Sequence, residues 1–378
     1  MPSVLAFVLA AASLQASDCR ALREFDAITE LVTQKFYDRT FRGLDWPSRI
    51  ASYRKQLSCD AGPRAVARTA NRLLSELHAS HTGVYTRSDF EYWALESIFA
   101  KSMDDFKLGL SGIWAERADG TWYARYVLPG SPADVAGVRP GAELLRLDGR
   151  AFDPLGFAAG RRSTLYISLS GHGRQQISLV AGNESVQRSL LDATERSAQV
   201  IDVGPRRVGY FHLWSGTRPE FLTAMKSALS RLEAERVDAI ILDLRGGYGG
   251  ANLDYVAPLR STRYLTETPK YVLIDDGVRS GKEWVAAVIK NERLATLVGS
   301  KTAGAFLGGL ANHLFDDRYF VYVAGREFIP PDVGRIEGVG VEPDIAVNAC
   351  HRLCDGKDPQ LEGVFDLIRD LPVSRAHG

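Results

Sequence analysis

Three segments of different character predict an α/β protein: an amino-terminal helical domain, an inserted β-rich domain and a carboxy-terminal layer of alternating strands and helices. A chain of 378 residues exceeds what one ordinary core accommodates, so several domains are expected. Apolar residues recur at helical spacing near the start, and short strands broken by Pro-Gly turns fill the middle. Strands alternate with amphipathic helices from Val208 onward.

The first element is the apolar run of residues 4–12, followed by Ser13, Gln15, Ala16 and Ser17. It has the length and small-residue flank of an export signal, with Ala10, Ala12 and Ala16 as cleavage positions, although no Lys or Arg precedes it. Residues 1–17 are therefore read as a signal peptide, and an exported location, periplasmic or secreted, is expected. Asp18 ahead of Cys19 spoils a lipid-attachment box. No other segment approaches the roughly 20 apolar residues that span a bilayer, so no stable membrane span is expected.

Residues 18–100 read as helical, with Leu22, Phe25, Ile28, Leu31 and Val32 on one stripe and Val66, Leu73, Leu74 and Leu77 on another. Cys19 and Cys59 bracket this region, and Cys350 and Cys354 lie four apart near the end. Local pairing within each set is the preferred connectivity of three, with four free thiols as the alternative. Neither set has the close pairs and nearby histidines of a structural zinc site, and neither a metal nor a cofactor is expected. With 46 basic and 46 acidic residues there is no single-sign field, so nucleic acid is not an expected partner.

Residues 101–195 are rich in strands, including 123–128 and 143–147, punctuated by Pro129-Gly130-Ser131-Pro132 and Arg139-Pro140-Gly141. Residues 196–350 carry strand 208–213, helix 220–235, strand 239–244, strand 270–275 and helix 282–290, which predicts a largely parallel sheet. Active sites of such sheets gather at the carboxyl ends of strands. Residues 351–378 form a tail with a helical stretch at 361–371.

Two of those strand ends carry chemistry. Ser280 stands in Gly277-Val278-Arg279-Ser280-Gly281-Lys282-Glu283, at a strand-to-helix turn where first-turn amides and the helix dipole favour an oxyanion beside the hydroxyl. Asp243-Leu244-Arg245-Gly246-Gly247-Tyr248-Gly249-Gly250 follows another strand, and its glycines permit a turn that aims amides at a ligand. Each has a plainer reading: Ser280 as a helix N-cap, and the glycines as a tight turn without the spacing of a nucleotide-binding loop.

Together these blocks make residues 208–347 similar to the catalytic domain of the C-terminal processing, or tail-specific, protease family. The third block in the same order is Glu337-Gly338-Val339-Gly340-Val341-Glu342-Pro343-Asp344-Ile345. The segment ahead resembles a bacterial-protease PDZ domain through Ser131-Pro132-Ala133, Ala136-Gly137-Val138, Pro140-Gly141 and Leu145-Arg146-Leu147-Asp148-Gly149. The resemblance implies a ClpP/crotonase-like catalytic domain at 196–350 and a PDZ-like domain at 101–195. It also implies peptide or unfolded-protein substrates, which a PDZ-like sheet edge would take as an added strand unless the module is only a packing lid.

One departure bears on mechanism. The family's usual Thr-x-Gly-Lys is here Thr302-Ala303-Gly304-Ala305, so the Ser-Lys dyad is missing. In the tricorn-like branch the base is a histidine preceded by a serine, and Ser80-His81 stands ahead of the PDZ-like segment. The resemblance thus implies Ser280 as nucleophile, His81 as base, Ser80 and Glu337 as supporting groups, and Gly281 with Gly249 or Gly250 as oxyanion donors. An imidazole with an ordinary pKa of about 6.5 can take and return a proton at neutral pH.

The plainer alternatives are a helix-end role for His81, a local cap or pair for Glu337, and solvated surface positions for Lys282 and Lys301. Three functions compete: an exported serine endopeptidase, a catalytically silent peptide- or ligand-binding protein of the same fold, and a crotonase-type thioesterase or hydratase that would bind coenzyme A. Oligomeric state is left open.

Overall fold

The computed structural model describes residues 19–350 and 357–371. The predicted signal peptide, residues 1–17, and Cys354 of the predicted second cysteine pair lie outside the described residues. The chain forms two compact units, one of residues 1–92 with 305–328 and one of residues 93–304 with 329–378.

In the first unit, helices Arg20–Lys35, Trp46–Arg54 and Pro63–Ser75 accompany a three-stranded antiparallel sheet. The sheet places Tyr319–Arg326 between Gly83–Thr86 and Gly308–Leu314. Phe25, Ile28, Val32, Leu73 and Leu74 from the helices share one core with Val321 and Val323 from the central strand. That shared burial is why residues 305–328, which the sequence groups with 196–350, belong to this unit. Cys19 and Cys59 are disulfide-bonded, with Cα atoms 5.4 Å apart.

The second unit contains two larger sheets. One orders Ile113–Ala118, Thr121–Val127, Glu143–Leu147, Arg162–Leu169 and Gly173–Val180 in antiparallel fashion. Its core includes Ala124, Leu144, Leu165, Ile167 and Leu179. The other orders Gln199–Val203, Arg206–His212, Ala239–Asp243, Lys270–Ile274, Thr296–Gly299 and Ile345–Ala346, antiparallel at the first pair and parallel thereafter. All five residues of Ala239–Asp243 and of Lys270–Ile274 are buried, as parallel strands covered on both faces require.

Helix Pro219–Ala234, with Pro at its first position, and helix Gly281–Asn291 follow their strands in the predicted rhythm. The predicted strand at 143–147 is observed at those bounds, and the other predicted elements shift by one or two residues. Helix Pro359–Arg369 packs Val364 and Ile368 onto the core of the parallel sheet. Among the described residues no helix is long and apolar enough to cross a membrane.

Candidate active site

The carboxyl ends of the parallel strands carry the second unit's candidate residues. Ser280 follows strand Lys270–Ile274 and precedes helix Gly281–Asn291, with φ 54° and ψ −133°. An ordinary N-cap is extended, whereas this conformation is sparsely populated outside glycine and costs roughly 1–3 kcal/mol. The N-cap position foreseen for Ser280 is occupied, but in a strained form that capping alone does not explain.

Gly249 is packed against that turn. A β-carbon there would lie 2.4 Å from Ser280 Cβ, 2.7 Å from the Arg279 carbonyl oxygen and 3.1 Å from the Gly281 nitrogen. Only a glycine lets the loop come so close. Gly250, at φ +81°, abuts Thr217, and a β-carbon at Gly281 would strike the Ala251 carbonyl. The first-turn amide of Gly281 has no intrahelical acceptor, and Gly249 packs against the same turn.

Glu283, fully buried, locks the turn to the rest of the site. Its Oε2 accepts from the Ser280 N–H at 3.0 Å. Its Oε1 accepts from the Thr302 hydroxyl at 2.7 Å and the Gly304 N–H at 2.6 Å. Thr302 Oγ1 in turn accepts from Val341 N–H at 2.7 Å, and Gly338 N–H donates to the Gly304 carbonyl at 2.8 Å. Glu337, buried between Ile336 and Gly338, is thus tied to the serine turn through backbone contacts of its own loop. Glu283 was not among the sequence-predicted site residues. Its signal was available: a Ser with Glu three residues later is a capping box.

Lys282 corrects an expectation. It is fully buried rather than solvated, and its Nζ donates to the carbonyls of Leu244 at 2.8 Å, Leu213 at 3.2 Å and Gly246 at 2.5 Å. Lys301 is half exposed and pairs with Glu342 at 2.9 Å, as a surface lysine would.

Beneath the glycine loop lies a buried polar network that sequence reasoning did not single out. Arg245 donates to both oxygens of Asp243 and pairs with Asp358, while Gln360 accepts from its Nη1 at 3.1 Å. Burial alone would raise the Asp243 carboxyl, but the adjacent Arg245 guanidinium and His212 hold it far below its usual range. His212 stacks on Trp214 with ring centroids 3.7 Å apart, and its Nε2 lies 2.8 Å from the Arg245 carbonyl. Burial pulls His212 down to about 4, which keeps it neutral. Tyr126 of the antiparallel sheet donates to Asp275 at 2.5 Å and lies over Gly246, so that sheet meets the strand ends directly.

Ser80 and His81 belong to the first unit. His81 lies in a turn between helix Pro63–Ser75 and strand Gly83–Thr86, with φ 53°, so it does not cap the helix, whose C-cap is Glu76. Its Nδ1 is 2.9 Å from Ser80 Oγ, and Ser80 Oγ accepts from Leu307 N–H at 3.2 Å. With the proton on Nδ1, the ring donates to Ser80 and leaves Nε2 a lone pair.

Comparison with known proteins adds relatives to this geometry. Residues 252–347 match peptidase family S41. A tricorn protease homolog of Streptomyces coelicolor is 24% identical over 398 residues, covering 92% of this chain and 32% of the relative. A carboxyl-terminal-processing protease of Synechocystis is 29% identical over 281 residues, covering 64% of this chain and 63% of the relative. The chain therefore spans less than two thirds of the length of either.

Among solved structures, the photosystem II D1 C-terminal processing protease aligns with a TM-score of 0.55 at 19% identity, covering 92% of this chain and 97% of that one. The tricorn protease aligns with a TM-score of 0.52 at 14% identity, covering 92% and 36%. The mixed α/β fold is shared with these proteases. Residues 252–347 are a peptidase family S41 domain, and the chain is a relative of the C-terminal processing and tricorn-type proteases.

Proposed function

We propose that this protein is an exported serine endopeptidase that cleaves unstructured or C-terminal peptide segments through an acyl-enzyme on Ser280. The observation that carries the reading is the strained strand-to-helix turn of Ser280 with Gly249 packed against it. Strain of this kind persists where the surroundings over-determine it, and it displays a nucleophile above the sheet.

In the reaction, Ser280 Oγ attacks the scissile carbonyl while its proton passes to Nε2 of His81, whose ring Ser80 orients. The carbonyl oxygen becomes the oxyanion and is held by amides of Gly281 and of Gly249 or Gly250, each worth about 3 kcal/mol in comparable hydrolases. His81 then gives the proton to the leaving amine as the C–N bond breaks. Water, deprotonated by the same imidazole, releases the acyl group and restores the serine. Glu337 supports the constellation from its buried loop.

Residues 196–350 are read as the ClpP/crotonase-like domain and residues 101–195 as a PDZ-like module. Strands Ile113–Ala118 and Gly173–Val180 lie at the two edges of its sheet, where a substrate would add as a further strand. The relatives named for C-terminal processing support this substrate class.

The test is fluorophosphonate labelling of the purified protein with peptide mapping of the adduct. Labelling should fall on Ser280 and vanish in Ser280→Ala. Wild-type protein that stays unlabelled and hydrolyses no peptide in a library would sink the enzyme reading and leave the silent binding protein, which the alanine at position 305 favours.

A further inference from the structure

We infer that Lys282 is a positioning residue for the nucleophile site: its buried ammonium ties together the carbonyls of Leu213, Leu244 and Gly246 and so fixes the glycine turn that faces Ser280. The consequence for rate rests on the hydrolase reading above, whereas the geometry does not.

Leu213 and Leu244 immediately follow adjacent parallel strands, and Gly246 opens the turn that reaches Gly249. A lysine in the first turn of a helix opposes the helix dipole, and full burial of its head adds a desolvation cost, so helix stability does not account for this residue. The three carbonyls do. An ammonium has three donors and no acceptor, and here every donor has a carbonyl oxygen within 3.2 Å.

A neutral amine would have to turn its lone pair toward one of those oxygens. The cage therefore favours the charged form, against the desolvation that opposes it.

The turn it grips needs gripping. Gly246, Gly247 and Gly250 all have positive φ, a freedom that leaves the segment costly to order. Two backbone bonds hold its far end, Tyr248 N–H to the Trp214 carbonyl at 3.0 Å and Gly216 N–H to the Gly249 carbonyl at 2.8 Å. Lys282 holds the near end.

The charged and titratable groups facing it are Asp243 and Asp275 at strand ends, which favour the ammonium, and Arg279 in the preceding turn, which opposes it. His212 also faces it and stays neutral. Burial outweighs the carboxylates and brings Lys282 down to about 7, so the grip loosens as pH rises through neutrality.

The experiment compares the wild-type chain with Lys282→Met, which keeps the length and removes the donors. Two readings are taken: amide hydrogen exchange in residues 245–250, and the rate of fluorophosphonate labelling at Ser280. In the variant, exchange there should rise by at least ~10-fold, as expected for a locally opened turn. Labelling should slow about 100-fold, the scale of a displaced oxyanion donor, with peptide KM little changed.

In the wild type, protection of residues 245–250 should fall between about pH 6 and 8 by more than base catalysis of exchange accounts for, tracking loss of the ammonium. Unchanged protection and labelling in Lys282→Met would overturn the inference. Should the variant not fold, a flat wild-type protection profile over the same pH range would overturn it instead. Absence of labelling in wild type at every pH would defeat the hydrolase reading alone, since exchange still decides the role of the lysine.

Discussion

The turn at Ser280 and the turn at His81 share a positive φ, yet they are held in different ways. Ser280 sits between two fully buried charges: Glu283 accepts three hydrogen bonds around it, and Lys282 donates three beneath it. His81 is only half-buried, in a short turn of the smaller unit, with Ser80 Oγ beside its Nδ1. The difference teaches that the two halves of the proposed relay are prepared by different physics. The serine turn is fixed by buried, hydrogen-bonded charges, whereas the imidazole is placed by the packing of a small helical unit stapled by one disulfide.

The comparison breaks most readily on its tighter side. Gly249→Ala puts a methyl group 2.4 Å from Ser280 Cβ and 2.7 Å from the Arg279 carbonyl, so the turn must shift. We expect the rate of Ser280 labelling to fall by about 10²-fold or more, a displaced-donor effect, while far-UV circular dichroism is preserved. A wild-type rate in this variant would mean that the glycine contact is mere packing.

The looser side is probed by reduction of the Cys19–Cys59 bond, which closes a loop with a sequence separation of 40. Loss of that constraint should cost the first unit roughly 4 kcal/mol of stability. The expected signature is selective: hydrogen exchange quickens in residues 19–92 and 305–328, while residues 239–300 keep their protection. Uniform destabilisation of both units would contradict the separation.

Much of this was legible in the sequence because its signals are local. Strand Glu143–Leu147 and helix Gly281–Asn291 were found from hydrophobic periodicity and turn chemistry. Ser280 and the glycine loop at 246–250 stand out in the sequence by their place after strands.

What was missed depends on distant packing. Strands Gly308–Leu314 and Tyr319–Arg326 join the first unit because Val321 and Val323 pack on helices about 250–300 residues earlier in sequence, which no local window reports. Lys282 reads as a surface lysine until two neighbouring strands bring Leu213 and Leu244 under it. His212 likewise reads as an ordinary strand residue until Asp243 and Arg245 gather around it.

The central claim is that the imidazole of His81 activates the hydroxyl of Ser280, and the pH dependence of labelling tests it most directly. In wild type the labelling rate should rise with pH as the neutral imidazole becomes available as base. In His81→Ala it should drop about 10³-fold or more and lose that rise. A His81→Ala protein that labels at the wild-type rate, with the same pH profile, would contradict the account.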